Sequence, residues 1–331
     1  MRKSLWVFFF LGIFGCETKN NQDAAVDTSH LDEIIESLEA DGRIVMEEIL
    51  FVSDFAAGLF INQDTVNFSA PLGYNIVDGV SDNRPGDPSD KSTIFVSTLQ
   101  EDQELVFDEI RITNPLDSVF RSISFAYPLI AQIYTNSSTQ ISRLYPAYDA
   151  VNLLEPDLDL TSFNFYYGAD ETNNPERVAK WLPEAYIDPA GLGWIVSLVS
   201  PVYVKDELKL VVGIDFKLSE VLEEYLNSEN GDYLVVTGKG DIVWGSPVAI
   251  NELGFPPLKN HVYTETIKSD NFRISDYNLY NSKSPEVREM AQSLLKSGEN
   301  RFDFEFETDL CCANVSRFHM VDWVLIEIKK N

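Results

Sequence analysis

Six aromatic side chains and two carboxylates are the residues of this chain whose chemistry best suits ligand binding. The acids are Asp188 and Asp215. The aromatic residues are Phe163, Phe165, Tyr166, Tyr167, Trp181 and Tyr186. Ring faces attract cations, and carboxylates accept strong hydrogen bonds from an ammonium group. The combination predicts a site for a small amine-bearing molecule.

Each of these residues also has a purely structural interpretation, which the sequence leaves open. Large rings most often fill a hydrophobic core. Asp215 ends an apolar stretch and directly precedes a predicted helix, where Asp is a favoured N-cap. Asp188 precedes Pro189, an arrangement typical of a turn in which the Asp side chain bonds the backbone.

Arg143 and Tyr145 lie on a predicted strand that leads into the same region, and both are candidate ligand-binding residues. Arg143 either contacts an anionic group of the ligand or pairs with one of the many carboxylates of the chain. In the first case the ligand carries both an amine and an acidic group, as an amino acid does. In the second case an amine is the only charged group that the site requires of the ligand.

The charge and the motifs of the chain exclude several function classes. There are 53 acidic and 25 basic residues among 331, a formal net charge of −28 at pH 7. This charge repels phosphate backbones, so we expect no nucleic-acid partner. The sequence contains no nucleophile elbow, no His-Glu-x-x-His and no phosphate-binding glycine loop. We therefore expect no enzymatic activity and no catalytic residue, cofactor or metal.

The first sixteen residues have the pattern of a bacterial lipoprotein signal. Two basic residues precede an apolar run over residues 5–15, which is shorter than the roughly 20 residues needed to span a bilayer. The run ends in a sequence that resembles a lipobox, with Cys16 as the lipidated residue. We expect a signal peptide over residues 1–15 and a polar tether over residues 16–28. The protein would then be extracytoplasmic and anchored to a bacterial membrane by lipid.

Two further cysteines, Cys311 and Cys312, are adjacent in the sequence. Three states remain open for them: free buried thiols, a vicinal disulfide, or a disulfide to another chain.

Hydrophobic periodicity predicts the elements that position these residues. Apolar residues at helical spacing predict a long N-terminal helix within residues 29–65. Two units follow, residues 66–228 and 229–331, each with helices and hairpins. In the first unit we expect a helix over 116–127, a hairpin of strands 129–135 and 140–145, a functional loop over 146–193, and strands 194–204 and 208–216. The fold class is α+β, with a long helix before two modules that contain antiparallel sheets.

Three short segments between residues 181 and 218 are similar to a known family. They are Trp181-Leu-Pro-Glu-Ala-Tyr186-Ile-Asp188, Val196-Ser-Leu-Val-Ser-Pro201-Val-Tyr203 and Val211-Val-Gly213-Ile-Asp215. They resemble the double Cache family of bacterial extracytoplasmic sensor domains, in which two PAS-like modules follow a long N-terminal helix. Weaker matches extend the resemblance over about residues 29–330.

The resemblance implies where a ligand binds. In this family the membrane-distal module, here residues 66–228, holds the ligand. Phe165 and Tyr166 fall on an Arg-x-Trp-Tyr motif of amino-acid-binding members, but Phe163 stands where those members have arginine. Asp188 and Asp215 match aspartates that hold a ligand ammonium. Since phenylalanine cannot bind a carboxylate as arginine does, the implied ligand is an amine.

These observations together predict a lipid-anchored, extracytoplasmic small-molecule-binding protein of the sensor type. No transmembrane or signalling segment follows the last predicted strand, so we expect it to act through a membrane sensor or transporter. Two alternatives remain: an interaction or regulatory domain with a vestigial pocket, and an amino-acid binder that uses Arg143.

Overall fold

A computed structural model describes residues 28–182, 185–187, 194–226, 231–255, 277–306 and 309–330. The helices are α1 (Ser29–Ile61), α2 (Gln103–Thr113), α3 (Leu116–Ala126), α4 (Ala150–Leu153), α5 (Asn164–Tyr167), α6 (Leu218–Leu226), α7 (Pro247–Glu252) and α8 (Pro285–Ala291). The fold class predicted from the sequence is confirmed, because a long N-terminal helix precedes two antiparallel sheets in an α+β arrangement.

The described strands form two separate sheets. The first contains β1 (Ile76–Val77), β2 (Val80–Ser81), β3 (Thr93–Val96), β4 (Ile130–Ser137), β5 (Ile141–Tyr145), β6 (Lys180–Trp181), β7 (Tyr186–Ile187), β8 (Trp194–Val204) and β9 (Glu207–Lys217). Their order is β1-β2-β3-β5-β4-β9-β8-β6, and β7 also pairs with β8. The second contains β10 (Asp232–Thr237), β11 (Ile242–Gly245), β12 (Arg301–Phe306), β13 (Asp309–Arg317) and β14 (Trp323–Lys330), in the order β11-β10-β14-β13-β12.

Helix α1 packs along the first sheet and reaches the second. Its apolar residues recur at helical spacing, so they share one face, and Leu31, Ile35, Ile49 and Val52 are fully buried on β8, β9 and β13. Burial of each such side chain stabilises the fold by about 1.5–3 kcal/mol. The helix ends at Ile61, and a single 3₁₀ turn follows it within the range predicted as helical.

The two faces of the first sheet have different partners. Side chains alternate between the faces of a strand, so neighbouring residues contribute to different cores. On β4, Ile133 packs into the core beneath the helices, and Tyr134 packs into a core beneath residues 146–182. We call the side covered by α1, α2 and α3 the helix face. The opposite side is the loop face, and residues 148–169, which cover it, are the covering segment.

The segment predicted as a long functional loop, residues 146–193, contains short elements. Helices α4 and α5 and strands β6 and β7 lie within it. Residues 183–184 and 188–193 of this segment lie outside the described residues.

Of the alternatives left open for Cys311 and Cys312 of β13, the structure fits free buried thiols and not a vicinal disulfide. Cys311 and Cys312 are both buried and both free. Burial raises the pKa of the Cys311 thiol, which disfavours the reactive thiolate.

The predicted signal peptide, Cys16 and the tether up to residue 27 lie outside the described residues. Of the helices that are described, none is both long enough and apolar enough to cross a bilayer.

Candidate functional site

Strand pairing places three polar residues side by side on the loop face. Asp215 of β9 lies opposite Gln132 of β4 and opposite Ser197 of β8. The three strands are adjacent in the sheet, and the three side chains are buried. The sheet therefore holds a polar row across its centre, in a position that apolar side chains normally fill.

Tyr134 extends this row. It is the cross-strand partner of Gly213, and its ring lies directly over that glycine. A Cβ atom on residue 213 would be 2.1 Å from Cζ of Tyr134, so only glycine allows this close approach. The tyrosine hydroxyl thereby reaches Asp215 and donates a hydrogen bond to Oδ1 at 3.0 Å.

Hydroxyl groups hold the Asp215 carboxylate, which is 2% exposed. Ser197 Oγ donates to Asp215 Oδ1 at 2.5 Å. The Tyr186 hydroxyl lies 2.8 Å from Ser197 Oγ, and it donates there because the single proton of Ser197 is used on Asp215. Burial, together with the negative charge of Asp215, raises the pKa of Tyr134 well above its usual range, so Tyr134 remains a donor.

A small cavity opens beside Asp215. Its volume is about 30 Å³. The strands contribute a mostly polar floor that includes Gln132, Tyr134, Asn136, Ser142 and Asp215. The covering segment contributes Tyr148, Leu154, Leu158, Leu160 and Phe165. Among the described residues that line it, Asp215 is the one carboxylate and none is Lys, Arg or His.

Asn136, a residue of the floor, has a buried amide oxygen. The residue is 3% exposed, and its Oδ1 accepts no hydrogen bond from the described part of the chain. A buried acceptor without a donor costs about 1–3 kcal/mol. The group in the floor that suits a ligand with N–H donors is therefore the Asp215 carboxylate.

Aromatic rings form one side of the site. Phe165 meets Tyr134 edge to face, with ring centroids 5.8 Å apart, and stacks on Phe163 at 5.1 Å. Tyr186 lies 6.3 Å from Phe165. Ring faces next to a carboxylate are suited to an ammonium group.

The structure thus brings four of the candidate residues together: Phe163, Phe165, Tyr186 and Asp215. Tyr166 is buried in the same core, and Tyr167 is exposed. Asp188 lies outside the described residues.

Arg143 and Tyr145 lie on the helix face, away from Asp215. The Arg143 guanidinium is 1% exposed and donates to Asp117 Oδ1 at 2.7 Å and to the Ile110 carbonyl at 3.1 Å. It also bonds Tyr74, Thr113 and Asn114. Tyr145 donates to Asp90 at 3.0 Å. The expectation that Arg143 and Tyr145 contact the ligand does not fit these positions, because the sheet lies between them and the cavity.

Trp181 also lies on the helix face. Its ring packs on Phe216, with centroids 5.7 Å apart, and lines a different cavity from that of Asp215. Trp181 was expected to contact the amine ligand. It lies instead between α1 and the sheet, away from Asp215.

The sequence-based prediction lacked most of the polar residues of the site, among them Gln132, Tyr134, Asn136, Ser142 and Ser197. One signal was present. Positions 132, 134 and 136 alternate with Ile133 and Thr135 in the strand predicted over 129–135 and at the residue that follows it. Polar groups at every second position of a buried strand indicate a polar lining on one face.

No group of three or more metal-ligating side chains with suitable placement occurs in the described ranges.

Comparison of the sequence with protein-family models and with curated proteins gives no match. The structure is similar to several solved ligand-binding domains. One is that of the Pseudomonas fluorescens chemoreceptor CtaA in complex with L-alanine, with 15% identity, a TM-score of 0.46, and coverage of 92% of this chain and 96% of that chain. Another is that of the Pseudomonas aeruginosa amino acid chemoreceptor PctB with L-Arg, with 16% identity, a TM-score of 0.45, and coverage of 66% and 72%. A third is that of the Campylobacter jejuni chemoreceptor Tlp3 with L-norvaline, with 10% identity, a TM-score of 0.41, and coverage of 92% and 93%.

At these identities and TM-scores the likeness carries no residue-level argument, and the chain's own side chains must support any function. The solved structures that the chain is similar to are ligand-binding domains of chemoreceptors.

Proposed function

We propose that this chain is a lipid-anchored, extracytoplasmic protein of the sensor type that binds a small amine-bearing molecule beside Asp215. The observation that carries the proposal is a buried carboxylate in a cavity with aromatic walls. A buried carboxylate is expensive unless it is hydrogen-bonded or paired. Tyr134 and Ser197 supply hydrogen bonds to Asp215, and an ammonium ligand would add the opposite charge.

The polar floor supports an amine over other ligand classes. The Asp215 carboxylate accepts hydrogen bonds, and an ammonium group is a pure donor. A ligand carboxylate beside Asp215 would experience repulsion from a like charge. The formal net charge of −28 acts in the same direction, since it attracts cations to the surface.

The size of the cavity implies that the covering segment moves. A volume of about 30 Å³ accommodates a water molecule but not a ligand with a carbon skeleton. The floor belongs to the central strands, whereas Leu154, Leu158 and Phe165 belong to the covering segment. We expect ligand to bind a minor open state of this segment and to shift the population toward it.

The partner and the anchor are part of the proposal and rest on sequence alone. The lipobox-like Cys16 supports lipid attachment. A membrane sensor or transporter would receive the signal that the moving segment generates.

The structure gives no support to the alternative of an amino-acid binder that uses Arg143. All of the hydrogen bonds found for the Arg143 guanidinium are to groups on the helix face. The alternative of a regulatory domain with a vestigial pocket makes a different prediction, which the following experiment distinguishes.

The test is a thermal-shift screen of the purified protein against primary amines, α-amino acids and carboxylates. We expect amines to raise the melting temperature in a concentration-dependent manner, since a ligand at a hundred times its Kd stabilises by about 2.7 kcal/mol. Asp215→Asn should weaken binding by about 10- to 100-fold, the loss expected for a hydrogen bond to a charged group. Asp157→Asn removes the same charge from an exposed position of the covering segment and should leave binding unchanged.

Two results would contradict the proposal. If no amine shifts the melting temperature, the regulatory domain with a vestigial pocket is favoured. If Asp215→Asn and Asp157→Asn bind equally well, the amine is held elsewhere.

A further inference from the structure

A second and larger cavity lies on the helix face of the first sheet. Its volume is about 250 Å³. It is bounded by α1, by the segment between α3 and β4, by α6, and by the segment that connects β13 to β14. Val196 and Phe216 of the first sheet form its base. The sheet separates it from the Asp215 cavity, so the two are distinct.

The walls of this cavity are apolar. Leu38, Val45, Val221 and Leu222 line it from the two helices, and Trp323 lines it from the second sheet. An engineered apolar cavity of about 150 Å³ remains dry and binds benzene. A cavity of this larger volume and character is therefore suited to an apolar molecule bigger than benzene.

The polar groups at its walls have partners, with one exception. The Tyr127 hydroxyl donates to Glu48 at 3.0 Å, and the Tyr225 hydroxyl donates to Asp41. The Trp181 Nε1 atom is buried and has no hydrogen-bond partner among the described residues. An indole N–H is a donor only, so it requires an acceptor.

The wall charges select against an anionic occupant. Glu39 and Asp41 both line the cavity from α1. Glu39 is 4% exposed and accepts hydrogen bonds from the backbone N–H groups of His319, at 2.5 Å, and Met320, at 2.9 Å. A fatty-acid carboxylate placed near these groups would be repelled, whereas a neutral molecule would not.

From these observations we infer that the cavity is a second ligand site, for a neutral and mainly apolar molecule. Its occupant contacts α1, the first sheet and the segment before β14 simultaneously. The site is independent of the amine site proposed above.

The probe for the test is 6-propionyl-2-dimethylaminonaphthalene, a neutral fluorophore with one ketone oxygen, whose emission shifts to shorter wavelength in apolar surroundings. We expect saturable binding to the purified protein. Val221→Phe, which fills the cavity, should weaken binding at least about tenfold. Trp181→Phe removes part of the apolar wall and should weaken binding about 3- to 10-fold, as loss of that contact area predicts.

Each variant has a matched control. Val248→Phe makes the same change at an exposed position of α7, and Trp244→Phe replaces a tryptophan that does not line the cavity. Both should bind the probe as wild type does. Asp215→Asn should also leave probe binding unchanged, and failure of the amine proposal therefore does not affect this result.

The inference is overturned if the wild-type protein shows no saturable binding up to the solubility limit of the probe. It is also overturned if Val221→Phe and Trp181→Phe bind the probe as well as their controls do. If Val221→Phe does not fold, Trp181→Phe compared with Trp244→Phe decides alone, since ring-for-ring replacement preserves most of the packing.

Discussion

The Tyr134 hydroxyl donates a hydrogen bond to Asp215 Oδ1 at 3.0 Å, although the two residues are not cross-strand partners. The partner of Tyr134 is Gly213, and the tyrosine ring crosses that glycine to reach the carboxylate two residues further along β9. Residues two apart on a strand share a face, so the ring and the carboxylate lie in the same cavity. The hydrogen bond between Tyr134 and Asp215 therefore depends on glycine at position 213.

Replacement of Gly213 by alanine should destabilise the protein. The added Cβ would lie 2.1 Å from Cζ of Tyr134, in the centre of the sheet, and the ring cannot move without losing its bond to Asp215. We expect the free energy of unfolding in urea to fall by about 1–3 kcal/mol, as for other overpacked cores.

The matched control is Gly58→Ala in α1. A Cβ at Gly58 meets no atom within 4 Å, and alanine favours a helix over glycine by up to about 1 kcal/mol. We expect this variant to be as stable as wild type or more stable. Equal destabilisation by the two substitutions would contradict the geometry described for Gly213.

Arg143→Met should lower the free energy of unfolding and leave the affinity for an amine ligand unchanged. The substitution leaves the carboxylate of Asp117, which is 13% exposed, without its cation. Loss of one partner of a buried ion pair costs about 3–5 kcal/mol. Arg121→Met is the control, since the pair of Arg121 with Asp90 is exposed and such pairs contribute about 1 kcal/mol or less. If Arg143→Met retained full stability but lost amine affinity, Arg143 would instead belong to the ligand site.

Glu109 should make the stability of the protein depend on pH. Burial raises the pKa of its carboxyl above the ordinary value of 4.5, against hydrogen bonds from Thr139 and Ser137. The folded protein therefore retains this proton where the unfolded chain releases it. The contribution of Glu109 is fully present below pH 4.5 and is lost as the pH rises through the raised folded value.

Comparison of wild type with Glu109→Gln isolates this effect. We expect the stability of wild type relative to the variant to decrease as the pH rises above 4.5, measured by urea unfolding at several pH values. Glu104→Gln changes an exposed residue of the same helix and serves as the control. A difference that increases with pH would contradict the assignment.

Cys16→Ser should release the protein from membranes. The lipobox-like sequence makes Cys16 the only expected site of lipid attachment. We expect the wild-type protein in the membrane fraction of expressing bacteria and the variant in the soluble fraction, as detected by immunoblotting. Cys311→Ala, which alters a buried thiol of β13, should remain with the membrane. Retention of Cys16→Ser in the membrane would exclude this anchor.

Several elements could be predicted from local sequence patterns. The helix expected over 116–127 is α3, Leu116–Ala126, and the strands expected over 194–204 and 208–216 are β8 and β9. These predictions are confirmed because periodicity and turn residues act over short distances. Helix α2 was not predicted, although Asp102, a favoured N-cap residue, directly precedes it and accepts hydrogen bonds from two backbone N–H groups.

The sequence alone determined many of the elements and the kinds of residue in the proposed amine site: a long apolar helix face, alternating strands, and aromatic residues near a carboxylate. Only the tertiary structure decided which residues meet. Ser142 and Arg143 are neighbours in the chain, yet Ser142 lines the cavity and Arg143 lies across the sheet from it. Ser197 and Gln132 are distant in sequence from Asp215, and pairing places both beside it. The physical reason is that successive side chains of a strand point to opposite faces, whereas strand register and the cover over each face depend on contacts between remote segments.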